Sequence, residues 1–292
     1  MSVPHAAAEG GRLETLQFFR ELNLKSERNW YHFGMWDDKR ICEIGARYGH
    51  LHIVEWLVRL RHDRPLITCE EAAEGGHLEI LMWLRSQGCP WGPKASLRAA
   101  KGGHLHVLRH LHENGCPWDA SVCGEAAERG YLDVLKYLRE NECPWDETEM
   151  CLHAANRGDL EMLRYCREQW GCPWDEDAIV AAARVGALDV VRYMREDGAD
   201  PCPWSARVTT QAAQFNRLDV LQFARAAGCP CQEERLCLAA AARGQLPMLK
   251  WLIESEKCPW NRQECLNKAG KNKHTRVVEY LESIQVDGTD SS

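Results

Sequence analysis

The chain lacks any run of about 18 apolar residues, the least that a membrane-crossing helix needs, so no membrane partner is expected. It also lacks an excess of positive charge. Its 36 Lys and Arg stand against 43 Asp and Glu, for a formal net charge of -7 and a pI of about 6.0. Proteins that grip phosphates are usually basic on one face, so nucleic acid is not an expected partner. The opening stretch, MSVPHAAAEGGRLE, has neither the basic nor the apolar region of a secretory signal. No Gly-rich phosphate loop and no Gly-x-Ser-x-Gly occur. Acids and bases are spread along the chain instead of gathering in one place. These absences point to a non-enzyme that needs no cofactor and no metal. Cysteine, by contrast, is plentiful, at 15 residues. In a short exported protein that would mean a disulfide framework. Here the chain is long and the count is odd, so reduced thiols in a cytoplasmic or nuclear setting are expected. With 292 residues, 45% hydrophobic and 27% charged, the chain can bury one large core or two small ones.

What the chain has is a period. Cys-Pro-Trp occurs six times, and a seventh copy reads Cys-Pro-Cys. The leading cysteines are Cys89, Cys116, Cys143, Cys172, Cys202, Cys229 and Cys258, 27 to 30 residues apart. A second marker keeps the same spacing. It is the glycine of GHLEIL, GHLHVL, GYLDVL, GDLEML, GALDVV and GQLPML, at positions 76, 103, 130, 158, 186 and 244. Asn216 holds this place in NRLDVL, Gly11 and Gly49 fit upstream, and Lys273 fits less closely. Such self-similarity marks a repeat architecture of about ten units. Each unit predicts two helices. The first is short and centred on Ala-Ala. The second carries apolar residues at helical spacing, such as Leu132, Val134, Leu135 and Leu138. The glycine suits the end of the first helix, where a left-handed residue is cheapest, and proline closes the exit of the second. Asp119, Asp146 and Asp175 suit the N-cap of the next first helix.

The pattern Ala-Ala-x-x-Gly-His-Leu-x-x-(Val/Leu), as in AAEGGHLEILMWL (72–84) and AAKGGHLHVLRHL (99–111), resembles the ankyrin repeat over roughly residues 4–283. Two features depart from that family. The usual Thr-Pro-Leu-His opening is missing, and the units run near 27 residues against about 33. The missing residues are those that make the projecting hairpin finger in ankyrin proteins, and here a Cys-Pro-Trp turn replaces it. This short-loop form is similar to ankyrin proteins of large DNA viruses and unicellular eukaryotes. The resemblance implies an all-α fold, an α-solenoid of about ten stacked helix-turn-helix units with hairpin fingers shortened to tight turns. It would form a single array over 1–285, interrupted by a non-consensus insertion at about 21–40 and followed by a disordered tail at 286–292. The implied function is that of a non-catalytic scaffold binding a protein partner, as a monomer, in the cytoplasm or nucleus (of a host cell if the source is viral). The alternatives are a thiol-rich metal- or redox-responsive protein and a substrate adaptor for a ubiquitin ligase, although no F-box-like segment is visible.

The cysteines follow the repeat. Seven sit in turns, and Cys42, Cys69, Cys123, Cys151 and Cys237 lie seven residues before the marker, with Cys265 one residue off that register. Cys166 holds a position that is Leu in most units, which leaves only Cys231. Equivalent residues of stacked units should be about 10 Å apart, whereas a disulfide needs Cα atoms at about 4.4–6.8 Å. A packing role is therefore expected for the turn cysteines. The aromatic stripe seven residues after each marker (Trp83, His110, Tyr137, Tyr165, Tyr193 and their equivalents) is expected in the inter-unit core. The turn tryptophans are expected to cover the turn and pack on the next unit, with a partner-facing ladder as the alternative. His106 and His110 share a helix face at i and i+4, without the intervening Glu of a zinc protease. His50, His77 and His104 are read as local hydrogen bonders.

The resemblance places a partner on the first helices, five and two residues before each marker. The candidates there are Arg47, Glu71, Glu74, Arg98, Lys101, Glu125, Glu128 and His153, an alternation of charge read either as ion pairs between neighbours or as a charge-patterned groove. The late units are small and neutral, at Ala239 and Ala242, with room for an apolar element. The insertion adds Trp30 and Trp36, as a second binding candidate or as cover for the edge of the first unit.

Overall fold

The computed structural model describes residues 2–25, 36–60, 69–196 and 200–284. Among them the chain is all-helical. It divides into two compact units, Met1–Asp146 and Glu147–Ser292.

The first unit holds five helix pairs. They are α1 (Val3–Glu9) with α2 (Leu13–Lys25), α3 (Asp38–Arg47) with α4 (Leu51–Leu60), α5 (Glu70–Gly75) with α6 (Leu78–Ser86), α7 (Pro93–Gly102) with α8 (Leu105–Glu113), and α9 (Ala120–Arg129) with α10 (Leu132–Glu140). The second unit holds five more: α11 (Glu147–Arg157) with α12 (Leu160–Arg164), α13 (Glu176–Val185) with α14 (Leu188–Glu196), α15 (Ala206–Gln214) with α16 (Leu218–Ala226), α17 (Glu233–Ala242) with α18 (Leu246–Lys250), and α19 (Arg262–Lys271) with α20 (Thr275–Ser283). Within each unit the first helix of every pair packs against the first helix of the next.

The α5–α6 pair shows why the sequence folds this way. Gly76 ends α5 at φ 78°, where its N–H donates to Ala73 O at 3.2 Å and that of His77 to Ala72 O at 2.9 Å. This crossed pair satisfies two carbonyls that the helix end would leave bare. The device repeats at the far end of α6. Gly88, at φ 82°, donates to Arg85 O at 3.0 Å, and Cys89 N–H donates to Leu84 O at 3.0 Å. Pro90 then stops the helix. Asn216 and Lys273, placed by the period where other units have glycine, both take positive φ, at 59° and 61°. Ala72, Ala73, Ile80, Leu81 and Leu84 are fully buried. The alanine pair lets successive first helices approach, and the three larger residues fill the layer behind them.

Spacing irregularities have a backbone cause. Cys172 follows Gly158, and Cys258 follows Gly244, by 14 positions, where Cys116 follows Gly103 by 13. In those two pairs the second helix winds into a π-helical turn, at Tyr165–Gln169 and Trp251–Ser255. The turn cysteine then donates six residues back, Cys172 to Cys166 O at 3.2 Å and Cys258 to Leu252 O at 3.0 Å. One extra residue is thus taken up inside the helix while the turn keeps its place.

The aromatic stripe differs from expectation. Trp83, His110, Tyr137, Tyr165 and Tyr193 are half-buried, and Phe18 is 59% exposed. The core lies one helical step away, at residues such as Val107, Leu108 and Leu111. Seven-residue spacing fixes a helix face but not its depth, and this face lies along the edge of the core.

Candidate functional site

The first helices of the Met1–Asp146 unit bring five of the expected residues together. Arg47 of α3 pairs with Glu71 and, at 3.3 Å, with Glu74 of α5. Arg98 of α7 reaches the same Glu74 oxygen, and Lys101 its other oxygen at 3.3 Å. Burial pushes the Glu74 carboxyl up, but Arg47, Arg98 and Lys101 outweigh it and hold the group below the usual carboxylate range. Burial also lowers Arg47, and Glu71 and Glu74 more than reverse it. These charges are therefore bound to one another. Glu125 pairs within its own helix with Arg129 at 3.1 Å, and Glu128 is exposed on the same helix. His153, in the other unit, lies 3.9 Å from Glu149 of its own helix. Of the two roles open to the insertion, Trp36 takes the covering one. Trp36 is 2% exposed and donates its indole N–H to Asp38 at 2.8 Å, and Arg20 of α2 pairs with the same carboxylate at 3.1 Å. An indole so enclosed cannot meet a partner; it braces Asp38, whose ion pair with Arg20 fastens α3 to α2. Trp30 lies outside the described residues, as does the tail at 286–292.

In the Glu147–Ser292 unit the corresponding face is open. A cleft of about 440 Å³ is lined by Gln214, Ala239 and Ala242 and rimmed by Arg235, Lys268 and Lys271. The three rim cations are exposed and make no ion pair among the described residues. The alanines supply the space, because positions that carry Glu71 and Glu74 in the third pair end at Cβ in the ninth.

The histidines bridge pairs; the expected local role gives way to a longer reach. The His77 ring Nε2 donates to Arg47 O at 3.0 Å, and that of His104 to Glu74 O at 3.0 Å, each in the preceding pair. Gln245 does the same to Gln214 O at 2.6 Å. Burial draws the His104 pKa down, so its ring is held neutral. His106 donates to Gly76 O at 3.0 Å while His110 meets Trp91 edge-on, so the two rings do different work.

Fourteen of the fifteen thiols are buried. Three turn thiols close their own pairs. Cys116 donates to Gly92 O at 3.4 Å, Cys143 to Asp119 O at 3.5 Å and Cys229 to Ser205 O at 3.4 Å, each at the start of its first helix. The cysteine seven residues before the marker faces the turn, as Cys151 does toward Cys172 O at 3.6 Å. Ser96 and Thr209 hold that position in two other pairs and donate to Pro117 O at 3.1 Å and Pro230 O at 3.3 Å. A hydroxyl that replaces the thiol and also donates to a turn carbonyl, one residue further on, is consistent with the thiol acting as a small buried donor. Sequence reasoning overlooked Ser96 and Thr209, although counting back from the markers reaches both. It also compared turn cysteines only with each other, whereas contacts run within a pair: Cys123 and Cys143 share a hydrogen bond, which together with burial pushes Cys123 up. Among the described residues no group of three His, Cys, Asp or Glu is placed to hold a metal ion. No helix among them is long and apolar enough to cross a membrane.

Four of the turn tryptophans rest on an arginine. Arg85 lies over Trp91 at 4.5 Å, Arg139 over Trp145 at 4.1 Å, Arg167 over Trp174 at 4.2 Å and Arg195 over Trp204 at 4.2 Å. His112 stacks on Trp118 at 3.8 Å in the same way. The edge of the indole meets the stripe residue of the next pair, as Trp118 meets Tyr137 at 6.3 Å and Trp174 meets Tyr193 at 6.0 Å. Compared with known proteins, the chain matches no family model. No curated protein matches it significantly either.

Proposed function

We propose that the chain is an ankyrin-type repeat array, an α-solenoid in each unit, that acts as a non-catalytic scaffold binding a protein partner through its first helices. One observation carries this reading: the cleft of about 440 Å³ between α15, α17 and α19, with small residues on its floor and Arg235, Lys268 and Lys271 unmatched on its rim. Cations that find no carboxylate among the described residues are available to one from outside, and their field favours an acidic segment. The corresponding charges around Glu74 satisfy each other and serve as supports. The thiol-responsive alternative gains nothing from thiols that are buried and held protonated, such as Cys151, pushed up to about 12.

The test is comparative capture from cells with the full chain, the Lys268→Glu/Lys271→Glu variant, and the Arg98→Glu/Lys101→Glu variant. A partner lost with the first variant and kept by the second supports the cleft. A partner lost only with the second moves the site to the Glu74 region, and one kept by both removes the first-helix face as the binding surface.

A further inference from the structure

The one Cys-Pro-Cys turn departs from its sisters at a single ring. Arg225 stands nine residues after Asn216, as Arg139 stands nine after Gly130 and Arg167 nine after Gly158. In the sister turns that arginine carries the indole of the Cys-Pro-Trp motif, and the next pair's stripe residue meets the indole's edge. Here the indole's position is held by Cys231, and the stripe residue of the next pair is Trp251. Where the missing ring would lie there is an open cleft of about 420 Å³, walled by Arg225, Ala226, Cys229, Cys231, Trp251 and Glu256. Such a volume is within the ~300–1,000 Å³ range of ligand pockets.

The platform is also held ready. Arg225 is 16% exposed, and its guanidinium is fixed by Glu256 at 3.0 Å and Glu233 at 3.0 Å, with Nη1 on Cys231 Sγ at 3.3 Å. In the sisters the arginine instead donates to the carbonyl of its turn cysteine, as Arg139 does to Cys143 O at 2.9 Å and Arg167 to Cys172 O at 3.2 Å. An immobilised guanidinium face costs little to bind upon, and a flat cation in a cleft that also holds an aromatic ring selects a planar ring over an aliphatic group.

We propose that this slot is a binding site for the tryptophan side chain of a partner protein, received between Arg225 and Trp251 as the chain's own indoles are received in the sister turns. The occupant is an amino-acid side chain because the sister slots at Arg85, Arg139, Arg167 and Arg195 are each filled by one, delivered from a Pro-Trp turn, and because Glu233 and Glu256 make the rim polar enough for peptide groups. The inference is independent of the cleft around Lys268, which lies on the first-helix face.

The experiment uses the full chain and the peptide acetyl-Ala-Pro-Trp-Asp-amide carrying 5-fluorotryptophan, followed by fluorine NMR. One saturable site is expected, and the Leu analogue of the peptide should fail to compete. Cys231→Trp fills the slot in cis and should weaken binding roughly tenfold or more. Should Cys231→Trp fail to fold, alkylating Cys231 in the folded parent with a benzyl thiosulfonate blocks the same space and should give the same loss. Absence of saturable binding, or binding undiminished in the blocked chain, overturns the proposal. So does equal binding of free indole and of the peptide's Leu analogue, which would make the cleft a non-selective apolar hole.

Discussion

Replacing Glu74 by Gln tests whether the charges of α3, α5 and α7 are structural. The substitution keeps the shape and an acceptor oxygen but removes the negative charge. The carboxylate is 16% exposed and faces three cations, Arg47, Arg98 and Lys101, whose side chains are 37%, 33% and 33% exposed. Exposed pairs are worth ~0.2–1 kcal/mol each, and breaking a fully buried pair costs ~3–5 kcal/mol. This site lies between those limits. Three partly exposed pairs, less the relieved desolvation of the carboxylate, come to about 1–2 kcal/mol. For a unit the size of Met1–Asp146 that lowers Tm by roughly 2–8 °C.

The pH dependence adds a second reading. In the folded chain the Glu74 pKa lies below its ordinary value, because its cations outweigh its burial. A depressed carboxyl pKa contributes stability that is present above the unfolded value, about 4.3, and is lost as pH falls through the folded one. Gln does not titrate. The gap between parent and Glu74→Gln in urea denaturation should therefore be constant from neutral pH down to about 5 and close below about 4. It should also narrow in 1 M salt, since the charges are partly solvated. A variant as stable as the parent at neutral pH, or a gap unchanged in acid, would refute the ladder as a support.

Three further outcomes follow from the geometry. His104→Gln should keep the bridge to Glu74 O, as Gln245 does in its own pair, and stay within about 1 kcal/mol of the parent at neutral pH. Because burial lowers the His104 pKa, the parent should lose part of its stability as pH falls below about 6.5, and the Gln variant should not; identical pH profiles would refute this. A maleimide should add once per folded chain, at Cys231, with the remaining thiols reacting only on unfolding; several fast adducts by mass spectrometry would contradict the burial. Gly76→Ala should cost about 2–4 kcal/mol, because a left-handed residue is strained and the new Cβ would lie 2.5 Å from the His104 ring. Gly88→Ala, at similar φ with nothing within 4 Å, should cost only ~1–2 kcal/mol, and equal losses would show that the ring contact is not resisted.

Much of the fold was legible because its signals are local. The marker glycines, the Ala-Ala pair and the Cys-Pro turns each impose a backbone conformation on the residues that carry them. Counting from the markers even placed Asn216 and Lys273 in left-handed positions that most residues avoid. What stayed hidden depends on neighbours about 30 residues away. Nothing near His77 says that its ring reaches Arg47 O, and the alternation of sign around Glu74 suggested ion pairs between neighbours without deciding between them and an open groove. The π-helical turns were hidden for a related reason. The extra residue before Cys172 is plain in the spacing, but whether the helix or the loop absorbs it depends on which carbonyl the Cys172 N–H finds. Trp36 stayed open between two readings because aromatic residues inside an insertion look the same whether they face in or out, and only Asp38 and Arg20 decide it.

The two first-helix faces use the same repeat positions for opposite ends, and that contrast separates support from site. Around Glu74 the alternation of sign is completed within the fold, so adding salt should weaken the fold slightly and change no partner. Around Ala239 and Ala242 the acidic rung is absent, while the next pair still presents Lys268 and Lys271, with Arg235 beside them. Cations kept side by side repel one another, at a cost that one acidic rung would remove. An external carboxylate set between them restores the missing rung and gains the attraction that the neighbouring unit obtains internally. Replacing Ala239 and Ala242 by Glu should therefore do two things at once. It should stabilise the chain by roughly 0.5–1 kcal/mol through new pairs with Lys268 and Lys271, and it should abolish capture of an acidic partner. Stabilisation without loss of capture would show that the partner binds elsewhere. Loss of capture with no gain in stability would show that the two lysines lie too far from these positions to be neutralised there.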